Sequence, residues 1–186
     1  MRPAFSDKHL LQAVLELKEK FKISSFYETG TWNGYTAGIA SKHFDYVFSV
    51  ENNMEFYAKA IEVNKLNKNV SLFLRDSVRF LDEHLMPEQT HTLFFLDAHW
   101  GEHWPLLDEL AVIARKKIKP VILIHDFYVP DEHGNARFHF DSYKDVPLNY
   151  DYVSQAIEKI YGAGNFAFSC VPESEIGSGT AIFHPK

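Results

Sequence analysis

The chain has 186 residues, of which 46% are hydrophobic and 15% aromatic, a composition that excludes a disordered polypeptide. A net charge of −6 without any basic block is unfavourable to a broad nucleic-acid footprint, and no apolar run approaches the ~20 residues of a membrane span. The single cysteine, Cys170, excludes an internal disulfide and suits a reducing compartment. We therefore expect one domain over residues 1–186, located in the cytoplasm and binding neither nucleic acid nor membrane.

Strand and helix patterns alternate along the first two thirds of the chain. Five β-branched or aromatic runs predict strands, at residues 23–28, 46–51, 70–76, 90–98 and 120–127. Segments with helical apolar spacing precede and separate these runs. The first helix lies within residues 1–22, capped by Ser6 or Asp7, and the later ones start near Thr36, Asn53, Ser77 and Pro105. The helix after Asn53 is expected to bury a face made of Met54, Ala58, Ile61 and Leu66.

The alternation stops after the fifth strand. A polar segment, residues 128–150, leads into a helix capped by Asp151. The apolar face of that helix comprises Val153, Ile157 and Ile160. Two strands, 166–171 and 179–184, end the chain and are predicted to pair antiparallel. Repeated strand–helix alternation with almost continuously apolar strands implies an α/β fold, a doubly wound and mostly parallel sheet with helices on both faces.

Each of the first five predicted strands ends at an acidic residue. These residues are Glu28, Glu51, Asp76, Asp97 and Asp126. In parallel sheets with helices on both faces, ligands bind beyond the carboxyl ends of the strands. A single strand-end acid is commonly a helix cap or a solvated side chain, but five in succession favour a binding site.

The turn after the first strand, ETGTWNG, contains two glycines, Gly30 and Gly34. Glycine permits positive φ and a close approach of ligand to backbone. The dinucleotide fingerprint G-x-G-x-x-G is not present, because position 32 is Trp. Glu51, which ends the second strand, stands where an acid can hold two ribose hydroxyls.

The chain resembles the class I S-adenosylmethionine-dependent methyltransferases over roughly residues 23–184. ETGTWNG resembles the first motif of that family, and Val50-Glu51 resembles its ribose-binding acid. Arg75-Asp76-Ser77 resembles the segment beside the adenine, and Phe95-Leu96-Asp97-Ala98 the fourth motif. The resemblance implies a seven-stranded sheet with the last strand antiparallel, and S-adenosylmethionine as cofactor. Trp32 departs from the family, where many members have glycine.

The resemblance assigns cofactor-binding roles to eight residues. These are Glu28, Gly30, Thr31, Gly34, Glu51, Asp76, Ser77 and Asp97. Backbone N–H groups after Gly30 and at the following helix start can bind the methionine carboxylate, and a group of acids favours a positive sulfonium. Asp76 can accept a hydrogen bond from the adenine amino group, with a simple helix cap as the alternative.

Residues 99–103, HWGEH, match the H-x-x-E-H pattern of some zinc peptidases. That chemistry requires both histidines on one helix, and a preceding strand, Gly101 and Pro105 argue against a helix here. We expect a loop that begins at Asp97, the end of the fourth strand.

The resemblance extends to metal-dependent small-molecule O-methyltransferases, in which acids ending the fourth and fifth strands bind a divalent ion. Asp97 and Asp126 hold these places, with Glu102 or His99 as a further ligand. Oxygen ligands suit Mg²⁺ or Mn²⁺, and an added imidazole favours a transition metal. Without a metal, His99 is the expected general base, oriented by Asp97 or Asp126. The predicted catalytic residues are therefore Asp97, His99 and Asp126.

Segment 128–150 is long for a connection and is predicted to form a lid over the substrate. Within it, His133, Arg137 and His139 are candidates for recognising an anionic or sugar-like acceptor. The preferred hypothesis is methyl transfer to a small polar molecule, at a hydroxyl oxygen. A non-catalytic S-adenosylmethionine- or nucleotide-binding module and a dinucleotide-dependent oxidoreductase remain as alternatives.

Overall fold

The computed structural model describes residues 2–85, 91–99 and 103–186. The helices in these ranges are α1 (Lys8–Phe21), α2 (Tyr35–Ala40), α3 (Met54–Asn64), α4 (Ser77–His84), α5 (Leu106–Arg115) and α6 (Tyr150–Tyr161). The strands are β1 (Ser25–Thr29), β2 (Tyr46–Glu51), β3 (Val70–Leu74), β4 (Thr92–Leu96), β5 (Val121–His125), β6 (Ser142–Tyr143), β7 (Val146–Pro147), β8 (Phe166–Cys170) and β9 (Thr180–Pro185). None of the helices in the described ranges is long and apolar enough to cross a membrane.

Seven strands form one sheet in the order β3-β2-β1-β4-β5-β9-β8. The first five strands are parallel to one another, whereas β9 is antiparallel to both β5 and β8, between which it lies. This arrangement confirms the predicted doubly wound, mostly parallel sheet with an antiparallel last strand. The strands β6 and β7 form a separate small hairpin within segment 128–150.

Alternate side chains of the central strands enter two separate cores. Tyr27 and Phe94 pack with the buried residues of α4, α5 and α6, on one face of the sheet. Phe26 and Phe95 pack with those of α1 and α2 on the other face. Because both faces are covered, every residue of β1, β4 and β5 is buried, which explains why β4 and β5 are almost continuously apolar.

Helix caps were predicted well for α1 and α3 and wrongly for α6. Asp7 accepts hydrogen bonds from the His9 and Leu10 amides, and Asn53 caps α3 in the same way. The cap of α6 is Asn149, whose side chain accepts from the Tyr152 amide, so the prediction of Asp151 is two residues late. Asp151 lies in the first helical turn, where its charge suits the positive end of the helix dipole.

The predicted apolar face of α3 is wrong. Met54 is 63% exposed and Leu66, beyond the helix end, is 84% exposed. The buried positions are Ala60 and Asn64, which face the turn that follows β1. Asn64 donates hydrogen bonds from Nδ2 to the Gly34 carbonyl (2.8 Å) and the Ala60 carbonyl (3.0 Å). A small residue and an amide are needed there because helix and turn are in close contact, and sequence periodicity does not carry that information.

Asp7 also links the two ends of the chain. Its Oδ1 caps α1, while Oδ2 accepts hydrogen bonds from the Ser174 hydroxyl (2.8 Å) and the amides of Glu175 (2.7 Å) and Ile176 (3.3 Å). Burial raises the pKa of this carboxyl, but these hydrogen bonds outweigh that effect and hold the pKa below its ordinary value. The loop between β8 and β9 is thereby attached to the start of α1.

The turn after β1 passes directly against the end of β4. Gly30 has φ +82°, and a Cβ atom at this position would lie 2.5 Å from the Asp97 carbonyl oxygen and 3.0 Å from the Ala98 Cα. The amides of Gly30 and Thr31 both donate to the Val50 carbonyl, and the Asp97 amide donates to the Thr29 carbonyl. The ends of β2, β1 and β4 are therefore held together by backbone hydrogen bonds at the glycine turn.

We predict that Gly30→Ala destabilises the protein by about 3 kcal/mol or more, because it adds a steric clash to an unfavourable positive φ. The matched control is Gly164→Ala, since Gly164 also has positive φ (+73°) but a Cβ there would meet nothing within 4 Å. The control should cost only about 1–2 kcal/mol. Urea denaturation of both variants measures the difference, and equal losses would show that the Gly30–Asp97 contact is not tight.

Candidate active site

A cleft of about 920 Å³ opens at the carboxyl ends of β1, β2, β4 and β5. Six of the predicted site residues line it: Gly30, Thr31, Glu51, Asp97, His99 and Asp126. Four others do not line it, namely Glu28, Gly34, Asp76 and Ser77. The rule that ligands bind beyond the carboxyl ends of parallel strands therefore predicted the location of the cleft correctly. Of the five strand-end acids, however, only Glu51, Asp97 and Asp126 line it.

Glu51 is held at the cleft by the glycine turn. Its Oε2 accepts a hydrogen bond from the Trp32 amide (2.8 Å) and its Oε1 from the Asn53 amide (2.9 Å). Each carboxylate oxygen can accept a further bond, so the fixed carboxylate retains capacity for a ligand's hydroxyl groups. Trp32 and Phe56 lie beside it with ring centroids 6.4 Å apart in an edge-to-face arrangement.

Trp32 adopts the backbone conformation that glycine favours. Its φ is +48°, in the left-handed region that few non-glycine residues occupy. The turn therefore accommodates a tryptophan at a position where the family pattern has glycine, and the Trp32 amide donates to Glu51.

Amides at the turn are already engaged within the protein. Gly30 and Thr31 donate to Val50, Trp32 donates to Glu51, and Gly34 donates to the Thr31 carbonyl. These four amides are therefore occupied within the protein, and binding of a carboxylate by amides at the turn and at the start of α2 stays a prediction. Arg2 also lines the cleft and offers a positive charge for an anionic group.

Glu28 is buried behind the turn. Its Oε2 accepts a 2.5 Å hydrogen bond from the Ser49 hydroxyl, which shares a second 2.5 Å bond with the Thr31 hydroxyl. Burial raises the pKa of Glu28 to about 8, with the Ser49 bond opposing and the charges of Asp97 and Glu51 adding to the rise. Glu28 is therefore mostly protonated at neutral pH and supports the turn from below. Its direct contact with a cofactor stays a prediction that this position does not favour.

Asp76 and Ser77 lie at the start of α4. Asp76 is exposed and accepts a hydrogen bond from the Arg79 amide (3.0 Å), which is the helix-capping alternative. Ser77 is buried below the cap. A contact of either residue with an adenine ring stays a prediction.

At the other end of the cleft, Asp97, His99 and Asp126 converge. One potential ligand atom from each lies within 4.8 Å of the others. The buried His125 places Nδ1 3.2 Å from Asp97 Oδ1 and 3.5 Å from Asp126 Oδ1. Burial lowers the pKa of His125, but the Asp97 charge and the bonds to both carboxylates outweigh burial and raise it to about 10. His125 is thus a cation that holds the two strand-end carboxylates together.

A second group at this end includes two residues from segment 128–150. Asp126, His139 and Asp141 also offer ligand atoms within 4.8 Å of one another. His99 Nδ1 lies 3.6 Å from Asp141 Oδ2, so the carboxylate paired with His99 comes from this segment rather than from a strand end. Sequence reasoning missed Asp141, and the only available signal was the pair His139-x-Asp141 in a polar segment.

The other candidates in segment 128–150 point elsewhere. Arg137 forms a 2.7 Å ion pair with Glu173, and His133 lies beside Glu132 at the surface. Neither lines the cleft, whereas His139 does. His99 follows β4 outside any helix, and Trp100 and Glu102 lie outside the described residues, so Glu102 as a ligand stays a prediction.

No family model matches the chain, and no curated protein matches it. Solved structures do. The methyltransferase domain of bacterial CtHen1 covers 95% of this chain and 98% of its own, with 14% identity and a TM-score of 0.63. A candidate caffeoyl-CoA O-methyltransferase from Staphylococcus aureus covers 95% and 83%, with 14% identity and a TM-score of 0.63. DhpI in complex with SAH covers 94% and 84%, with 17% identity and a TM-score of 0.53.

These similarities show that the chain has the fold of the class I S-adenosylmethionine-dependent methyltransferases. The predicted resemblance is confirmed at the level of the fold. The identities are low, so the chemistry has to be argued from the cleft itself.

A buried acid, Glu109 of α5, lies behind the cleft. It is fully buried, and the hydroxyls of Thr29 and Ser77 lie near its carboxyl without good hydrogen-bond geometry. Burial raises the pKa of Glu109 to about 7, with the two hydroxyls opposing the rise. The folded protein therefore binds a proton here more tightly than the unfolded chain does.

Because of this raised pKa, Glu109 lowers the free energy of unfolding progressively as the pH rises from about 4.5 to about 7. Above that range the loss is complete and constant. Glu109→Gln, which is neutral at every pH, should be more stable than wild type by about 2–3 kcal/mol at pH 8. The gain should shrink towards pH 5. Urea denaturation at both pH values measures it, with the exposed helical Glu158→Gln as control. A gain that does not depend on pH would contradict the raised pKa.

Proposed function

We propose that this protein is an S-adenosylmethionine-dependent methyltransferase that acts on a small polar molecule at a hydroxyl oxygen. The observation that carries the proposal is the pairing, in one cleft of a methyltransferase fold, of the amide-held Glu51 carboxylate with the group Asp97, His99 and Asp126. The Glu51 carboxylate suits the hydroxyl groups of a nucleoside's ribose. The group Asp97, His99 and Asp126 suits the removal of a proton. The cleft volume lies within the range of about 300–1,000 Å³ usual for small-molecule sites.

The residues present fit the cofactor at three points. Glu51 would accept bonds from both ribose hydroxyls, in a part of the cleft that Trp32 and Phe56 also line. Arg2 would bind the methionine carboxylate in place of the engaged turn amides. The carboxylates at the β4 and β5 ends would favour a positive sulfonium. When bound, the cofactor supplies an electrophilic methyl group.

The protein has to align an acceptor hydroxyl and take up its proton. Transfer of the cofactor's methyl group to the acceptor oxygen would release the hydroxyl proton, which a residue of the cleft would have to take up. His99 is suited to receive it, because its side chain is half-exposed at the cleft and paired with Asp141. His125 is less suited to act as the base, because its raised pKa between two carboxylates favours the form that already carries the proton.

A divalent metal is a second route for proton removal. The carboxylates of Asp97 and Asp126 could bind Mg²⁺ or Mn²⁺, and His99 as a further ligand would favour a transition metal. Such an ion would lower the pKa of the acceptor hydroxyl, and Asp97 and Asp126 would then be ligands.

Calorimetry with S-adenosylmethionine and its demethylated product S-adenosylhomocysteine tests the cofactor. We expect both to bind, and Glu51→Gln to weaken binding at least tenfold, because a charge-assisted hydrogen bond contributes about 1.5–3 kcal/mol. Glu55→Gln, an exposed change in the adjacent helix, should have no effect. Circular dichroism checks that the variants fold. Absence of binding at millimolar concentration, or a thermal shift with NAD(H) alone, would reject the methyltransferase proposal.

Two further variants test the reaction centre. Asp97→Ala should abolish release of S-adenosylhomocysteine with a panel of small hydroxyl acceptors, while S-adenosylmethionine affinity changes only a few fold. If His99 is the base, His99→Ala lowers the rate by roughly 10²–10⁴ and added metal does not restore it. If a metal acts, EDTA inactivates the wild type and divalent ions restore activity. A fully active His99→Ala variant of an EDTA-insensitive wild type would eliminate both routes.

A further inference from the structure

The segment between β5 and α6 places two potential metal ligands beside the end of β5. Asp126, His139 and Asp141 form a mixed carboxylate–imidazole group whose ligand atoms lie within 4.8 Å of one another. His139 and Asp141 are two residues apart. They do not lie at the end of a parallel strand, so the rule that predicted the other site residues does not apply to them. They are different residues from Asp97 and His99, which form the first group with Asp126, although His99 Nδ1 lies 3.6 Å from Asp141 Oδ2.

Backbone hydrogen bonds fix these ligands in place. The Asp141 amide donates to the Asp126 carbonyl (2.8 Å), and the Leu148 amide donates to the Asp141 carbonyl (2.9 Å). The His139 amide donates to the Gly177 carbonyl (2.7 Å), and the His139 carbonyl accepts from the Gly179 amide (3.0 Å). The side chains therefore project from a backbone anchored on both sides, which reduces the cost of organising a binding site.

The Asp126 carboxylate points to a ligand independently. Its Oδ1 is inaccessible to solvent. It lies 3.5 Å from His125 Nδ1 but has no partner with hydrogen-bond geometry among the described residues. A buried carboxylate oxygen without a hydrogen bond is costly. Asp126 is also the residue common to both groups. A cation bound at this position would satisfy the oxygen and relieve the repulsion between neighbouring carboxylates.

We propose that Asp126, His139 and Asp141 bind one divalent transition-metal ion, so that segment 128–150 supplies two of its ligands. The inference deepens the proposed function, because it places the ion beside the reaction centre. An imidazole with two carboxylates favours Mn²⁺, Co²⁺ or Zn²⁺ over Mg²⁺, which prefers oxygen ligands and retained water. The exposed side of His139 leaves room for water or an acceptor oxygen on the ion. Metal occupancy and the position of this segment are then linked.

The test uses the full chain stripped of metal with EDTA and titrated with Co²⁺, without cofactor or acceptor. Calorimetry gives affinity and stoichiometry, and the visible absorption of Co²⁺ reports its coordination. We expect one equivalent to bind to the wild type, and His139→Ala and Asp141→Asn each to weaken binding at least about tenfold. His133→Ala, which changes a surface histidine of the same segment, should bind as the wild type does.

A second measurement follows the segment itself. Arg137 and Lys144 are exposed trypsin sites on either side of His139 and Asp141. Co²⁺ should slow cleavage at both sites in the wild type and not in His139→Ala.

Two results would overturn the metal site: no Co²⁺ binding to the wild type at millimolar concentration, or wild-type affinity in both His139→Ala and Asp141→Asn. S-adenosylmethionine binding, measured separately in the metal-free protein, should be unchanged in these variants. A failure of the metal site is therefore distinguishable from a failure of the methyltransferase proposal.

Discussion

The contact between Gly30 and the backbone of Asp97 is the constraint on which the cleft depends. Parallel strands bring their carboxyl ends to one edge, but the contact determines how close the first turn comes to the end of β4. It leaves no space for a side chain, and backbone hydrogen bonds hold the ends of three adjacent strands around it. Glu51 and Asp97, which both line the cleft, are consequently fixed relative to each other.

The acidic residues that end the first five predicted strands differ in their electrostatic environment. Glu28 is buried and favours its neutral form, whereas Glu51 is stabilised by two amides. Asp76 caps a helix. Asp97 and Asp126 share the His125 cation, which allows two carboxylates to lie close together in a partly buried place. The same residue type thus has different roles according to burial and to the hydrogen-bond donors around it.

The topology could be predicted because it follows from local periodicity. Alternating strands and helices, with apolar strands buried on both faces, specify a parallel sheet whichever residues fill it. Features that depend on tertiary contact were not predictable. The buried face of α3 is set by its approach to Gly34, and the cap of α6 by the course of the preceding segment. Asp141 is held at the cleft by backbone hydrogen bonds with Asp126 and Leu148, and His139 by bonds with Gly177 and Gly179, which no local pattern records.

The double role of Asp7 has a consequence for synthesis of the protein on the ribosome. The partners of its Oδ2 atom are 167 to 169 residues further along the chain, in the loop that provides Glu175, Ile176 and Ser178 to the cleft wall. The five parallel strands are all translated before β9, the strand that covers the edge of β5. One side of the cleft is therefore the last part of it to be translated. The cleft is completed only when this segment reaches the first helix, so a chain that stopped before it would lack part of the binding-site wall.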